Sequence, residues 1–317
     1  MGMVRLFRMA SAAVATFVTG AALAAVAFAG DNVGQPTDKA MGWQPGVTVL
    51  KDHTIWFYNW ILFPVITVIS LFVLALLLWI IVRYNKRANP VAAKFSHNTL
   101  IEIIWTALPV AILVVIACFS LGLLKEYNDM PTPDVLVKAT GNQWYWTYDY
   151  PELDVSGIDS KLLDDARDLK KAHADHVPYL LEVDNKLVVP VNRVVHVEVT
   201  GSDVIHSFTV PAFGIKIDAI PGRLNNTWFK ATRIGTYYGQ CSELCGQDHA
   251  YMPIEVKVVS DADFDAFIIA QGGKTKAMLA ADAAASQAAA EAASASAQSA
   301  SVSASAAPVS GAAASAH

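Results

Sequence analysis

Phe57 to Val82 and Ile101 to Leu124 are apolar runs, each long enough to cross a bilayer as a helix. A backbone in lipid must satisfy its own hydrogen bonds, so an isolated pair of such runs predicts a helical hairpin. Between them lie Arg83, Lys86, Arg87 and Lys94, and a short loop rich in Lys and Arg belongs on the cytoplasmic side. The N-terminus and everything after Leu124 are then expected on the opposite side. Residues 1–29 point to the same topology. Arg5 and Arg8 lead an Ala/Val stretch that ends at Ala27-Phe28-Ala29, the pattern of a cleaved export signal. Pro64 and Pro109 fall within the two helices and are expected to kink them.

The chain therefore divides into a signal peptide (1–29), an exported lead-in with the hairpin (30–125), an exported domain (126–275) and a tail (276–317). The 54% hydrophobic content is concentrated in the two spans and the alanine-rich tail. A formal net charge of −5 gives no sign of nucleic-acid binding and suits a basic protein partner. From Asp134 the pattern becomes short β-branched or aromatic runs, namely 135–139, 144–148, 187–190, 194–199, 226–230 and 254–258. Many short strands with turns between them predict a β-sandwich or barrel. Asp154–His176, with His173 and His176, is expected to interrupt the strands as a solvated loop or short helix. The Ala/Ser tail lacks the apolar variety for a core and is expected to be disordered.

The chemistry concentrates in Cys241-Ser242-Glu243-Leu244-Cys245-Gly246-Gln247-Asp248-His249-Ala250-Tyr251-Met252, with His206 upstream. Cys118 lies in the second span and reads as a buried free thiol. In an exported space a Cys241–Cys245 disulfide is the simplest alternative. A bridge over three residues would constrain the unfolded chain little and would leave His249 and Met252 unexplained. Zinc could take two Cys and two His but has no use for Met252. Thiolates, imidazole and a thioether together favour copper. A single-copper blue site uses one Cys, whereas two thiolates can bridge two ions. No Cys-x-x-Cys-His occurs, so no attached haem is implied.

These motifs resemble subunit 2 of the cytochrome c oxidases of the haem–copper superfamily, from the hairpin to about Ala270. The resemblance also rests on Ile103-Ile104-Trp105-Thr106-Ala107-Leu108-Pro109, Gly141-Asn142-Gln143-Trp144-Tyr145-Trp146, Leu181-Glu182-Val183-Asp184-Asn185 and Asp218-Ala219-Ile220-Pro221-Gly222-Arg223. It implies a two-helix anchor followed by an all-β, cupredoxin-like sandwich. It also implies a dinuclear copper A centre on His206, Cys241, the Glu243 carbonyl, Cys245, His249 and Met252. Trp144 matches the point of electron entry from cytochrome c, with Tyr145 and Trp146 filling the core. Asp149, Asp184 and Asp203 match an acidic docking rim, and the Glu243 carboxylate a magnesium site at the boundary with subunit 1. Lys216, Asp218 and Arg223 match a buried charge network there. Glu102 matches the mouth of a proton-conducting path.

The expected partners are subunit 1, a subunit 3 and cytochrome c, in a bacterial inner membrane with the copper domain and both mature termini on the periplasmic side. Two other readings exist. A quinol oxidase subunit 2 shares the architecture but lacks the copper ligands. A membrane-tethered copper-delivery protein would not need Trp144 or Glu243. Nitrous oxide reductase has a similar loop but a large catalytic domain in place of the hairpin.

Overall fold

The computed structural model describes residues 33–37, 40–91, 93–174 and 178–305. The expected signal peptide lies outside these residues. The first spanning element is one continuous rod, Val49–Arg83. It comprises α1 (Val49–Phe57), a widened turn over Tyr58–Leu62 and α2 (Phe63–Arg83). Thr48 caps α1 by accepting from the Lys51 N–H. The wide turn lies just before Pro64, whose ring nitrogen cannot donate to the preceding turn. The second span, α3 (Thr99–Asn128), is capped by Asn98, which accepts from Leu100 and Ile101 N–H. It continues as one helix past Pro109.

Both helices outrun the apolar stretches because polar residues such as Lys51, Asp52 and Lys125 complete the ends next to the β domain. No residue of α2 or α3 is buried within the chain. Cys118 is accordingly exposed, contrary to the expected buried thiol. Two helices alone cannot enclose a side chain, so burial of Cys118 falls to lipid or another subunit.

A polar clasp fastens the hairpin to the domain that follows it. Tyr127 donates to the Gly214 carbonyl at 2.9 Å, and Trp228 Nε1 donates to the Tyr127 carbonyl at 3.2 Å. Ahead of α1, Thr48 Oγ1 donates to the Phe213 carbonyl at 2.7 Å, and Val47 exchanges backbone bonds with Ala212 and Thr232.

The domain after the hairpin is β-rich, as expected. One sheet runs β3 (Val155–Ser160), β2 (Tyr145–Tyr150), β1 (Val135–Asn142), β5 (Val195–Gly201), β8 (Asn225–Phe229). A second runs β4 (Leu187–Pro190), β10 (Pro253–Val259), β9 (Gly235–Gln240), and β6 (His206–Val210) pairs with β7 (Ile215–Ala219). The β1–β5 and β4–β10 pairs are parallel, the others antiparallel.

Alternation along β2 sends Trp146, Tyr148 and Tyr150 into the core, each fully buried. Phe208 on β6 meets Trp146 edge-on, and Phe213, in the turn after β6, stacks on Phe229 and meets Tyr237. A helix α6 (Asp261–Ala270), capped by Ser260, closes the domain through Phe264 and Ile268.

Two expectations change. Within 154–176, residues Val155–Ser160 form strand β3, paired to β2 with a bulge near Asp149. Only the later part carries the short helices α4 (Asp164–Arg167) and α5 (Leu169–Ala174). The tail, expected to be disordered, contains helix α7 (Lys276–Ser305). Alanine's helix propensity acts within the chain and needs no core.

Tyr150 ties the ridge to the second sheet: its hydroxyl donates to the Val188 carbonyl at 2.7 Å and accepts from the Val188 N–H at 3.1 Å. Tyr150→Phe removes the partner of two buried backbone groups. The variant should lose about 1–3 kcal/mol, read as a lower denaturant midpoint by domain fluorescence.

Candidate metal centre

The ligand-type residues converge from three places in the sequence. His206 opens β6, Cys241 directly follows β9, and Met252 directly precedes β10. Because β9 and β10 are antiparallel neighbours, the loop joining them returns over one end of the sandwich. A short helical turn at His249–Tyr251 orients its second half. The close packing of β6 on β9 then brings His206 to the same place.

Cys241 and Cys245 are both free and buried, with their sulfurs 3.9 Å apart. His206 Nδ1 lies 3.9 Å from Cys241 Sγ, and the Glu243 carbonyl 3.3 Å from the same sulfur. On the other side, His249 Nδ1 and Met252 Sδ each lie 3.5 Å from Cys245 Sγ. Met252 is 2% exposed. A fully buried thioether aimed at a thiol pair is what a soft metal ion would use.

The ligand atoms of His206, Cys241 and Cys245 all lie within 4.8 Å of one another, and His249 is not part of that compact group. A tetrahedral ion with ligands at ~2.0–2.3 Å needs all four atoms within roughly 4 Å of one another. The observed layout, one imidazole beside each sulfur, instead suits two ions sharing the sulfurs. Sulfurs bound to one ion at ~2.3 Å can stand no more than about 4.6 Å apart, which the 3.9 Å separation satisfies. The residues present fit a dinuclear copper centre.

The electrostatics of the thiol pair are asymmetric. Burial opposes ionisation of Cys241, but hydrogen bonds from His206 and the surrounding backbone outweigh it and bring the thiol down to about 7. Burial, then the neighbouring Cys241 charge, pushes Cys245 up to about 12. One sulfur thus ionises readily and the second resists until a cation arrives, so binding releases protons.

A polar frame fixes the ligands. The Nε2 of His206, a fully buried residue, faces Asp203 Oδ1 at 2.8 Å, which leaves Nδ1 toward the sulfurs. Burial alone would raise the Asp203 carboxyl, but the His206 bond and the N–H groups of Val204 and Gln143 hold it below its ordinary value. Gly141 leaves room for the imidazole, since a Cβ there would stand 2.9 Å from the His206 ring. Trp146 Nε1 donates to the Met252 carbonyl at 3.3 Å, and its ring meets His206 edge-on at 6.1 Å. Trp144 lies outside β2, half-buried in the preceding turn, with Nε1 3.4 Å from the Cys245 carbonyl.

The remaining expected residues lie apart from this cluster. The Glu243 side chain points outward, exposed. Lys216, Asp218 and Arg223 are also exposed, so the expected buried network does not form within this chain and would need a partner to cover it. Asp149 Oδ1 accepts from the Gly157 N–H, and Asp184 Oδ1 from the Lys161 and Asn185 N–H groups. Both acids support turns, whatever they also present to a partner. Glu102 lies in the first turn of α3, accepting from the Asn98 N–H at 3.3 Å.

Sequence reasoning passed over Gln143 and Gly141 as parts of the site and assigned Trp146 only to the core. None carries a metal-type donor, so ligand chemistry gave no signal; their proximity to Trp144 was the single clue.

Known proteins resemble this chain over most of its length. Residues 36–123 match the family model described as cytochrome c oxidase subunit II, transmembrane domain. Residues 135–259 match that of the same subunit's periplasmic domain. Cytochrome c oxidase subunit 2 of Cereibacter sphaeroides is 44% identical over 275 residues, covering 80% of this chain and 90% of that protein. A probable cytochrome c oxidase subunit 2 of Rickettsia bellii is 46% identical over 234 residues, covering 74% of this chain and 85% of that protein. A crystal structure of the periplasmic domain of the Bradyrhizobium japonicum cytochrome oxidase subunit II shares 53% identity. It covers 45% of this chain and 96% of that one, with a TM-score of 0.41. The chain belongs to the cytochrome c oxidase subunit 2 family.

Proposed function

We propose that this chain holds a dinuclear copper A centre and is the electron-entry subunit of a proton-pumping haem–copper oxidase. It would accept electrons from cytochrome c beside Trp144 and deliver them toward a haem of subunit 1, where oxygen is reduced. The observation that carries this reading is the buried thiol pair flanked by one imidazole on each side and by Met252. His206, Cys241, the Glu243 carbonyl, Cys245, His249 and Met252 would hold the copper. When bound, the metal supplies a one-electron couple. The protein's part is to fix the ligands before any electron moves, which the fully buried His206 and Met252 allow.

Trp144 is the natural point of entry, since its indole bonds the Cys245 carbonyl from a half-buried position. The exposed Glu243 carboxylate is free to serve a magnesium ion shared with subunit 1, an ion that favours oxygen donors and retains waters. Asp149, Asp184 and Asp203 would attract a basic cytochrome c, chiefly by speeding encounter. Glu102 would stand at the cytoplasmic mouth of a proton path, and a subunit 3 would complete the assembly. The basic loop between α2 and α3 supports placement in a bacterial inner membrane with the copper domain in the periplasm. Residues 1–29 would be the removed export signal.

Copper loading should give two copper ions per chain and an electron paramagnetic resonance signal of one electron shared over both. Zinc, or a single copper, would overturn the reading. Met252→Leu keeps both thiolates and both imidazoles, so it should retain two coppers while shifting the potential and slowing delivery to haem. An unchanged potential and turnover would remove Met252 from the ligand set.

Asp203→Asn keeps the size of the side chain but can present an N–H to His206 Nε2. That would favour the tautomer with its proton on Nδ1, the nitrogen facing the sulfurs. Copper affinity should fall about 10–100-fold, measured by competition with a chelator. A variant altered only in the salt dependence of the Michaelis constant for cytochrome c would assign Asp203 to docking alone.

A further inference from the structure

Gln143 reaches the centre from outside it. The residue is exposed in the turn between β1 and β2 and offers no ligand atom, yet two of its groups bond the frame around the ligands. Its backbone N–H donates to Asp203 Oδ2 at 2.7 Å, while Asp203 Oδ1 faces His206 Nε2 at 2.8 Å. Its side-chain Nε2 donates to the Cys245 carbonyl at 2.8 Å. The other donor to that carbonyl, Trp144 Nε1, is longer at 3.4 Å, so the amide makes the stronger bond.

The loop is shaped to admit this contact. Gly246 has a φ of +125°, and a Cβ there would stand 3.2 Å from Gln143 Nε2 and 3.1 Å from Trp144 Cζ2. A Cβ at 246 would crowd both donors, which would have to give by a few tenths of an ångström, and the backbone conformation itself favours glycine.

We propose that Gln143 is a positioning residue for the copper centre. Its amide pins the Cys245 carbonyl, and with it the half of the site formed by Cys245, His249 and Met252, at a set distance from Trp144. Its backbone does the same for His206 through Asp203. The inference rests on the copper reading for its purpose, but the clamp is a property of the protein alone.

Hydrogen exchange on the full-length, copper-free chain tests the clamp directly. Gln143→Leu removes the donor at similar size. Gln143→Asn keeps the amide's polarity but is one methylene too short to reach the carbonyl. Both should speed exchange of the His249 and Tyr251 amides, which the loop's own turn protects, about tenfold, the opening expected for loss of one hydrogen bond. The Ser242 amide, held by the Ser207 carbonyl, should keep its wild-type rate. Trp144→Phe, which removes the weaker donor, should have the smaller effect.

After copper loading, Gln143→Leu and Gln143→Asn should retain wild-type metal content with an altered copper hyperfine pattern. Wild-type exchange in both Gln143 variants overturns the proposal. So does equal acceleration across the sheets, which would mean a general loss of stability. If the wild-type chain fails to take two coppers, the functional reading falls, while the exchange data still decide whether Gln143 holds the loop.

Discussion

The β domain depends on the aromatic ridge of β2. Trp146, Tyr148 and Tyr150 leave one face of the strand and are wholly buried. Rings of this size remove ~150–250 Å² each from water, more than other side chains can offer. The ridge also has polar handles that reach specific places. Tyr150 grips Val188 in the second sheet, and Trp146 meets Phe208 edge-on while donating to the Met252 carbonyl. The wall of the metal site is therefore the edge of the hydrophobic core, and the site takes its rigidity from core packing.

That arrangement explains how a cluster of titratable groups can be buried. A buried polar group needs a hydrogen-bond partner, and His206 finds one in Asp203, whose side chain remains about one-third exposed. The thiols have no such route to solvent. Burial, and after it the charge on Cys241, holds one proton on Cys245 once Cys241 has lost its own, a tension that a bound cation removes. The hairpin serves the site at a distance. Its clasp of Tyr127, Trp228, Thr48 and Val47 ties the ends of the helices to the sandwich.

What was legible in the sequence was local. The spans show as runs because lipid demands uniformly apolar helices, and the ligand loop shows because Cys, His and Met crowd a few positions. Strands with β-branched or aromatic alternation, such as β1 and β10, were also readable. Strand β3 was not: Gly157 and its polar neighbours resemble a loop, and pairing to β2 is what makes Val155–Ser160 extended. What surrounds Cys118 is not legible, because a hairpin has no interior of its own. The tail helix is not legible from core patterning, because alanine's propensity alone supports it.

The sequence by itself determined the two spans, the β character of the domain after them and the soft-donor set of the loop. Each follows from composition or spacing over a few turns of chain. Tertiary structure decided that His206 would stand beside Cys241, and that Asp203 would hold its outer nitrogen. It also decided that Trp146 would serve both core and site, and that Gln143 would reach Cys245. Those contacts join residues 35 to 106 positions apart, or depend on where such residues have been brought. No local pattern encodes them, because strand pairing and core packing alone set the distances.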